Sequence, residues 1–290
     1  VFAEPHATRW VADMVDLIEV LAQKGHTYAV DGTVFFDVST FPSFGALSGY
    51  SDEHMIEFSA ERGGNPDDPR LRNPLDFILW QPSLDDEPAW PSPWGDGRPG
   101  WHIECSAMSM GILGPTLDLH GGGSDLIFPH HECSRAQSEA ANGVTFAKHW
   151  MHTGMVAYQG TKMSKSLGNL VFVSELSKIH DPRAIRLALM RHHYRSDWEW
   201  FDDDIEIGTR LLDRMHRAAH TAHGPDPSGY AERVRAALDD DLDAPTALGA
   251  LTELANAILE GGDDPAAPTV LGELGALVGV DLDTAPAPLS

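Results

Sequence analysis

The run Lys162-Met163-Ser164-Lys165-Ser166 sets two lysines and two serine hydroxyls in one short stretch, with Gly168 close behind. Cations on such a loop can take up the negative charge that builds on a departing pyrophosphate, and the hydroxyls can donate to the same oxygens. Lys162, Lys165, Ser164 and Ser166 are the catalytic candidates; the plainer reading is a solvated, charged loop. Upstream stand WHIEC (Trp101 to Cys105), HGGGSD (His120 to Asp125) and FPHHE (Phe128 to Glu132). Cys105 and His130 offer sulfur and imidazole nitrogen, the donor types zinc favours. A single Cys and a single His 25 positions apart would seldom be ligands on spacing alone. His131 is expected to pack beside His130 and orient it, and Cys133 to be a structural thiol. Gly121-Gly122-Gly123 lets backbone approach a ligand closely. Asp125 can accept two hydroxyl hydrogen bonds, although for a bare GGGSD a glycine turn with a capping side chain is the favoured reading.

These motifs together resemble the cysteine-activating branch of class I aminoacyl-tRNA synthetases. Within it the chain is more similar to the cysteine ligases of mycothiol biosynthesis, which join cysteine to glucosaminyl-inositol. The resemblance implies a Rossmann-like α/β catalytic domain and adenylation of cysteine by ATP, with Mg2+ held by the phosphates. It implies one zinc ion per chain on Cys105 and His130, with a third protein ligand in an N-terminal part that this sequence lacks. It also places Trp101 against the cysteine side chain, Gly123 and Asp125 at the ribose, and Val156 at the strand end that reads adenine.

Ser134 separates the two branches. Cysteinyl-tRNA synthetases usually read FPHHENE, their last glutamate a fourth ligand; here the segment reads FPHHECS. Serine is no zinc ligand, which leaves three protein donors and an open position for the substrate thiolate. AERGGNP (Ala60 to Pro66), Trp90 to Pro93 and HHYRSDWEW (His192 to Trp200) also resemble the ligases, whereas His120, Gln137 and Leu167 resemble the synthetases. Two acceptors therefore stay open, the amine of glucosaminyl-inositol and the terminal ribose of a cysteine tRNA. For contacts with the acceptor, His152 and Glu199 are candidates with nothing to choose between them. The opening zinc-ligand cysteine and a His-x-Gly-His signature are absent, so the chain resembles about the C-terminal seventy per cent of such enzymes. As it stands it is expected not to form adenylate efficiently, and an inactive remnant is a third reading.

The elements that must position these residues are partly legible. Apolar residues at helical spacing predict a helix over 8–24, and Asp31-Gly32 predicts a hairpin between strands 27–30 and 34–38. Dense proline and glycine over 65–100 predict loops around one strand, 77–80. A helix is expected over 101–113, strands over 116–119 and 150–157, and a helix from near Pro129. Helices over 203–220, 230–238, 244–259 and 270–278 then form a small bundle. The expected division is a catalytic domain over 1–160 with an insertion around 31–100, the lysine loop and a connection over 161–201, and the bundle over 202–290.

Composition narrows the partners. Forty-four acidic residues oppose 20 basic ones, a net charge of −24. Nucleic-acid binding usually draws on a basic face, so tRNA is the less favoured acceptor. No apolar run approaches the ~18 residues of a membrane span, and no signal peptide is evident. With two cysteines there is no disulfide framework. A cytoplasmic monomer is expected.

Overall fold

In the computed structural model, which describes residues 1–165 and 167–286, the chain divides into two compact units, Val1–His152 and Thr153 onward.

The first unit opens with α1 (Val11–Gln23), whose Met14, Ile18 and Leu21 are fully buried. β1 (Thr27–Val30) and β2 (Thr33–Phe36) follow. Asp31 and Gly32 link them with φ of 50° and 77°, the double left-handed geometry of a two-residue hairpin. α2 (Asp52–Glu61), capped by the Ser51 hydroxyl, is an element that the sequence pattern did not announce. β3 (Phe77–Pro82) and β4 (Gly97–Pro99) complete an antiparallel sheet in the order β1-β2-β3-β4.

α3 (Trp101–Leu113) covers the span expected from the sequence. β5 (Leu117–Gly123) runs through the glycine motif and pairs with β6 (Ala147–Thr153). Between those strands a short irregular helix over Ile127–His131 leads into α4 (Glu132–Asn142). Ala136, Ala140 and Ala141 of α4 pack with Ile103 and Ala107 of α3, Leu79 and Trp80 of β3, and the apolar face of α1. Small residues on α4 let these helices approach closely, and that packing fixes α3 beside the turn carrying His130.

The second unit contains a three-stranded sheet in the order β8-β7-β9, from β7 (Val156–Tyr158), β8 (Thr161–Lys162) and β9 (Trp198–Trp200). β7 pairs with β8 antiparallel and with β9 parallel. The predicted strand over 150–157 is therefore two strands, broken at Gly154, where a Cβ would lie 2.1 Å from the Ser196 carbonyl oxygen. Helices α5 (Val173–Ile179), α6 (Pro182–Leu189), α7 (Asp204–Ala219), α8 (Ser228–Asp239), α9 (Ala244–Glu260) and α10 (Ala267–Leu277) build the rest. Leu187, Leu212, Leu251, Leu254 and Leu271 share one core there. No helix among the described residues is long and apolar enough to cross a membrane.

Candidate functional site

Trp101 and Cys105 lie one turn apart on α3 and so share a face, while Ile103 and Ala107 turn into the core. Trp101 is no core aromatic. It is 52% exposed and stacks on His130 with ring centroids 4.4 Å apart. The helix therefore sets Trp101 against His130, with Cys105 one turn further along the same face.

His130 is itself buried, and its Nδ1 lies 3.0 Å from Nδ1 of His102. The bond needs a proton on one of those nitrogens; with His130 Nδ1 as the donor, its Nε2 lone pair is left for a metal. His131 packs beside His130 as expected, with ring centroids 5.8 Å apart. The Nδ1 of His131 meets Nε2 of His152 at 2.8 Å, and its ring stands edge-on to His120. Burial holds His130 down at about 4 and His102 at about 3, so both rings are neutral at physiological pH. Burial, helped by Glu104, raises the Cys105 thiol. Cys133 is buried, with its thiol pushed well up by desolvation.

A soft thiolate and a neutral imidazole suit zinc, so the donors present fit the ion. Among the described residues no three His, Cys, Asp or Glu side chains converge on a metal position. Ser134 does not join them: it is fully buried, and its hydroxyl donates to the His130 carbonyl at 2.8 Å.

Within the glycine motif, Gly122 is committed to internal packing. At Gly122 a Cβ would meet His131 Cε1 at 2.8 Å and Leu126 Cδ1 at 2.9 Å, so the protein's own side chains claim that space. Gly123 has φ −69° and ψ 155°, a conformation any residue adopts. Asp125 follows in a short 3-10 turn over Ser124–Leu126. Arg62, missed in the sequence, supports this turn: its guanidinium donates to the Asp125 carbonyl at 2.8 Å and to that of Phe128. Glu132 was also missed; its buried carboxylate accepts from the Leu47 and Ser48 amides at 3.0 Å each.

In the second unit the lysine loop is anchored at its middle. Met163 packs against the core and its amide donates to the Val156 carbonyl at 3.1 Å, while Lys162 and Lys165 are exposed. Asn169 stitches the loop together, accepting from the Ser164 amide at 2.9 Å and donating to Thr161 Oγ1 at 3.1 Å. Gly168 takes φ +67° where the chain turns back. Ser166 lies outside the described residues. Glu199 accepts from the Gly160 amide at 2.7 Å, a structural tie. HHYRSDWEW is likewise an internal clamp, with His192 stacked on Trp198 at 4.0 Å and Tyr194 and Arg195 both bonded to Asp241.

Residues 2–210 match the family described as tRNA synthetases class I (C) catalytic domain, and the chain belongs to it. At 50% identity over 278 residues it is similar to the L-cysteine:1D-myo-inositol 2-amino-2-deoxy-alpha-D-glucopyranoside ligase of Streptosporangium roseum, covering 95% of this chain and 68% of that one. The Thermobifida fusca protein of the same name is 48% identical over 287 residues, covering 96% and 70%. The Cysteine--tRNA ligase of Xanthomonas euvesicatoria is 47% identical over 264 residues, covering 87% of this chain and 54% of that one. Methionyl-tRNA synthetase of Mycobacterium tuberculosis, solved with methionyl-adenylate, superimposes with TM-score 0.59 at 17% identity, over 96% of this chain and 72% of that one. That likeness is one of fold.

Proposed function

We propose that this protein is an ATP-dependent ligase that activates L-cysteine as cysteinyl-adenylate and transfers it to the amine of glucosaminyl-inositol. The observation that carries the reading is the similarity along 95% of the chain to ligases of that name, helical region included. In the first step a cysteine carboxylate oxygen attacks the α-phosphorus of ATP, and the bond to the bridging oxygen breaks to release pyrophosphate. Lys162 and Lys165 offset the charge on the leaving oxygens, and Ser164 and Ser166 are the hydroxyl donors beside them. Mg2+ travels with the ATP phosphates. Asp125 accepts from the ribose hydroxyls, with its turn held by Arg62.

Cys105 and His130 are the residues of this chain that would hold a zinc ion, which when bound supplies a position favouring a thiolate over a hydroxyl. Trp101 encloses the cysteine side chain. In the second step the acceptor amine attacks the adenylate carbonyl, AMP leaves with its phosphate oxygen, and an amide forms as the nitrogen loses its proton. Ser134, spent on a backbone carbonyl, supports an open metal position rather than a closed one.

A second reading, transfer to tRNA, is favoured by the similarity to the Xanthomonas enzyme and by His120 and Leu167. AMP release separates the two. The ligase releases AMP from cysteine and ATP faster when glucosaminyl-inositol is added. Stimulation by cysteine tRNA alone contradicts the proposal.

A further inference from the structure

A cavity of about 430 Å³ lies within the first unit, between the end of α2, strand β3 and the start of α3. That size falls among small-molecule sites. AERGGNP is the motif that shapes one wall. Gly63, at φ +92°, follows the last turn of α2, and the Gly64 amide returns to the Ser59 carbonyl at 2.8 Å, the Schellman pattern. This sharp stop sends Arg62 into the Asp125 turn and sets Asn65 on the cavity wall.

The wall is chemically mixed. Phe35, Phe77 and Trp101 supply aromatic surface. Its four formal charges, Arg62, Arg98, Asp68 and Asp76, cancel, and each is committed to protein partners. The side-chain amides of Asn65, which is exposed, and Gln81, which is half-buried, make no hydrogen bond among the described residues. Uncommitted amides beside aromatic faces suit a neutral polyol, whose hydroxyls both donate and accept and whose C–H face packs on a ring. A polyphosphate chain would call for net positive charge, which this wall lacks. Trp101 and His102 line the cavity and also touch His130, so a ligand held there lies beside the residues proposed to hold the cysteine thiol.

We infer that this cavity is the acceptor subsite, with Asn65 and Gln81 binding the hydroxyls of the amino-sugar–inositol. The inference rests on the ligase reading above. In the full-length protein, Asn65→Leu and Gln81→Leu are compared with wild type in two assays. Cysteine-dependent ATP–pyrophosphate exchange reports folding and the step that uses no acceptor; amide formation reports the step that does. The expected result is a tenfold or greater rise in the KM for glucosaminyl-inositol in each variant, a reduced preference for it over free glucosamine, and exchange changed far less. Amide formation by wild type with an unaltered acceptor KM in both variants overturns the subsite while leaving the ligase standing. Charged tRNA and no amide from wild type overturns the ligase reading itself, and the subsite with it.

Discussion

Lys165 stands exposed on a loop whose neighbour Met163 is packed into the core and whose ends are tied by Asn169. The cation is therefore held near a fixed base without a partner role in packing, which suits a group that engages charge as it develops. Lys165→Ala should lower the rate of ATP–pyrophosphate exchange by about 100-fold while the KM for ATP changes by only a few-fold. Equal losses in both, measured by steady-state exchange, would contradict a role confined to the transition state. Residue types exposed this loop, and the surrounding motifs pointed to the pair Cys105 and His130. They did not expose His102, Arg62 or Asn169. Each acts through a contact distant in sequence or made by backbone, and such contacts leave no local pattern.

At the scale of elements, helices with an apolar stripe were legible: α1, α7 and α9 stand within a few residues of their expected ends. α2 was not, because of its residues only Met55 is buried and no stripe forms. β5 extends through three glycines, poor strand formers that pairing with β6 overrides. The functional consequence of α2 sits at its end, where Arg62 joins the Asp125 turn. Arg62→Ala should cost about 1.5–3 kcal/mol in denaturant unfolding, since a charged donor to two carbonyls is lost, and should raise the KM for ATP. Unchanged ATP binding would separate the helix from the nucleotide turn. In the antiparallel sheet, Tyr28 on β1 donates to Asp76 at 2.8 Å. Burial is the main cause that pushes its phenol up to about 12. A raised folded value means that the stabilisation is fully present below the ordinary value of 10 and is lost as pH rises toward 12. The stability difference between wild type and Tyr28→Phe should therefore shrink across that window, followed by denaturant unfolding; a constant difference would contradict it.

For the molecule as a whole, the net charge of −24 at once argues against a nucleic-acid partner and predicts self-repulsion in the compact state. Raising salt from low ionic strength should raise the Tm, because screening relieves that repulsion; a falling Tm would show that specific ion pairs dominate instead. Membership of the class I synthetase family was legible from four short motifs taken together, each of which has an ordinary structural reading alone. The acceptor was less legible. The cavity proposed for it is assembled from a helix end, a strand and a helix start separated by tens of residues, and its amides are common surface residues in sequence. The most direct measurement incubates the full-length protein with cysteine, ATP and either glucosaminyl-inositol or cysteine tRNA, and identifies products by mass. The account predicts a cysteinyl amide on the amino-sugar and no cysteinyl-tRNA; cysteinyl-tRNA without the amide would contradict it.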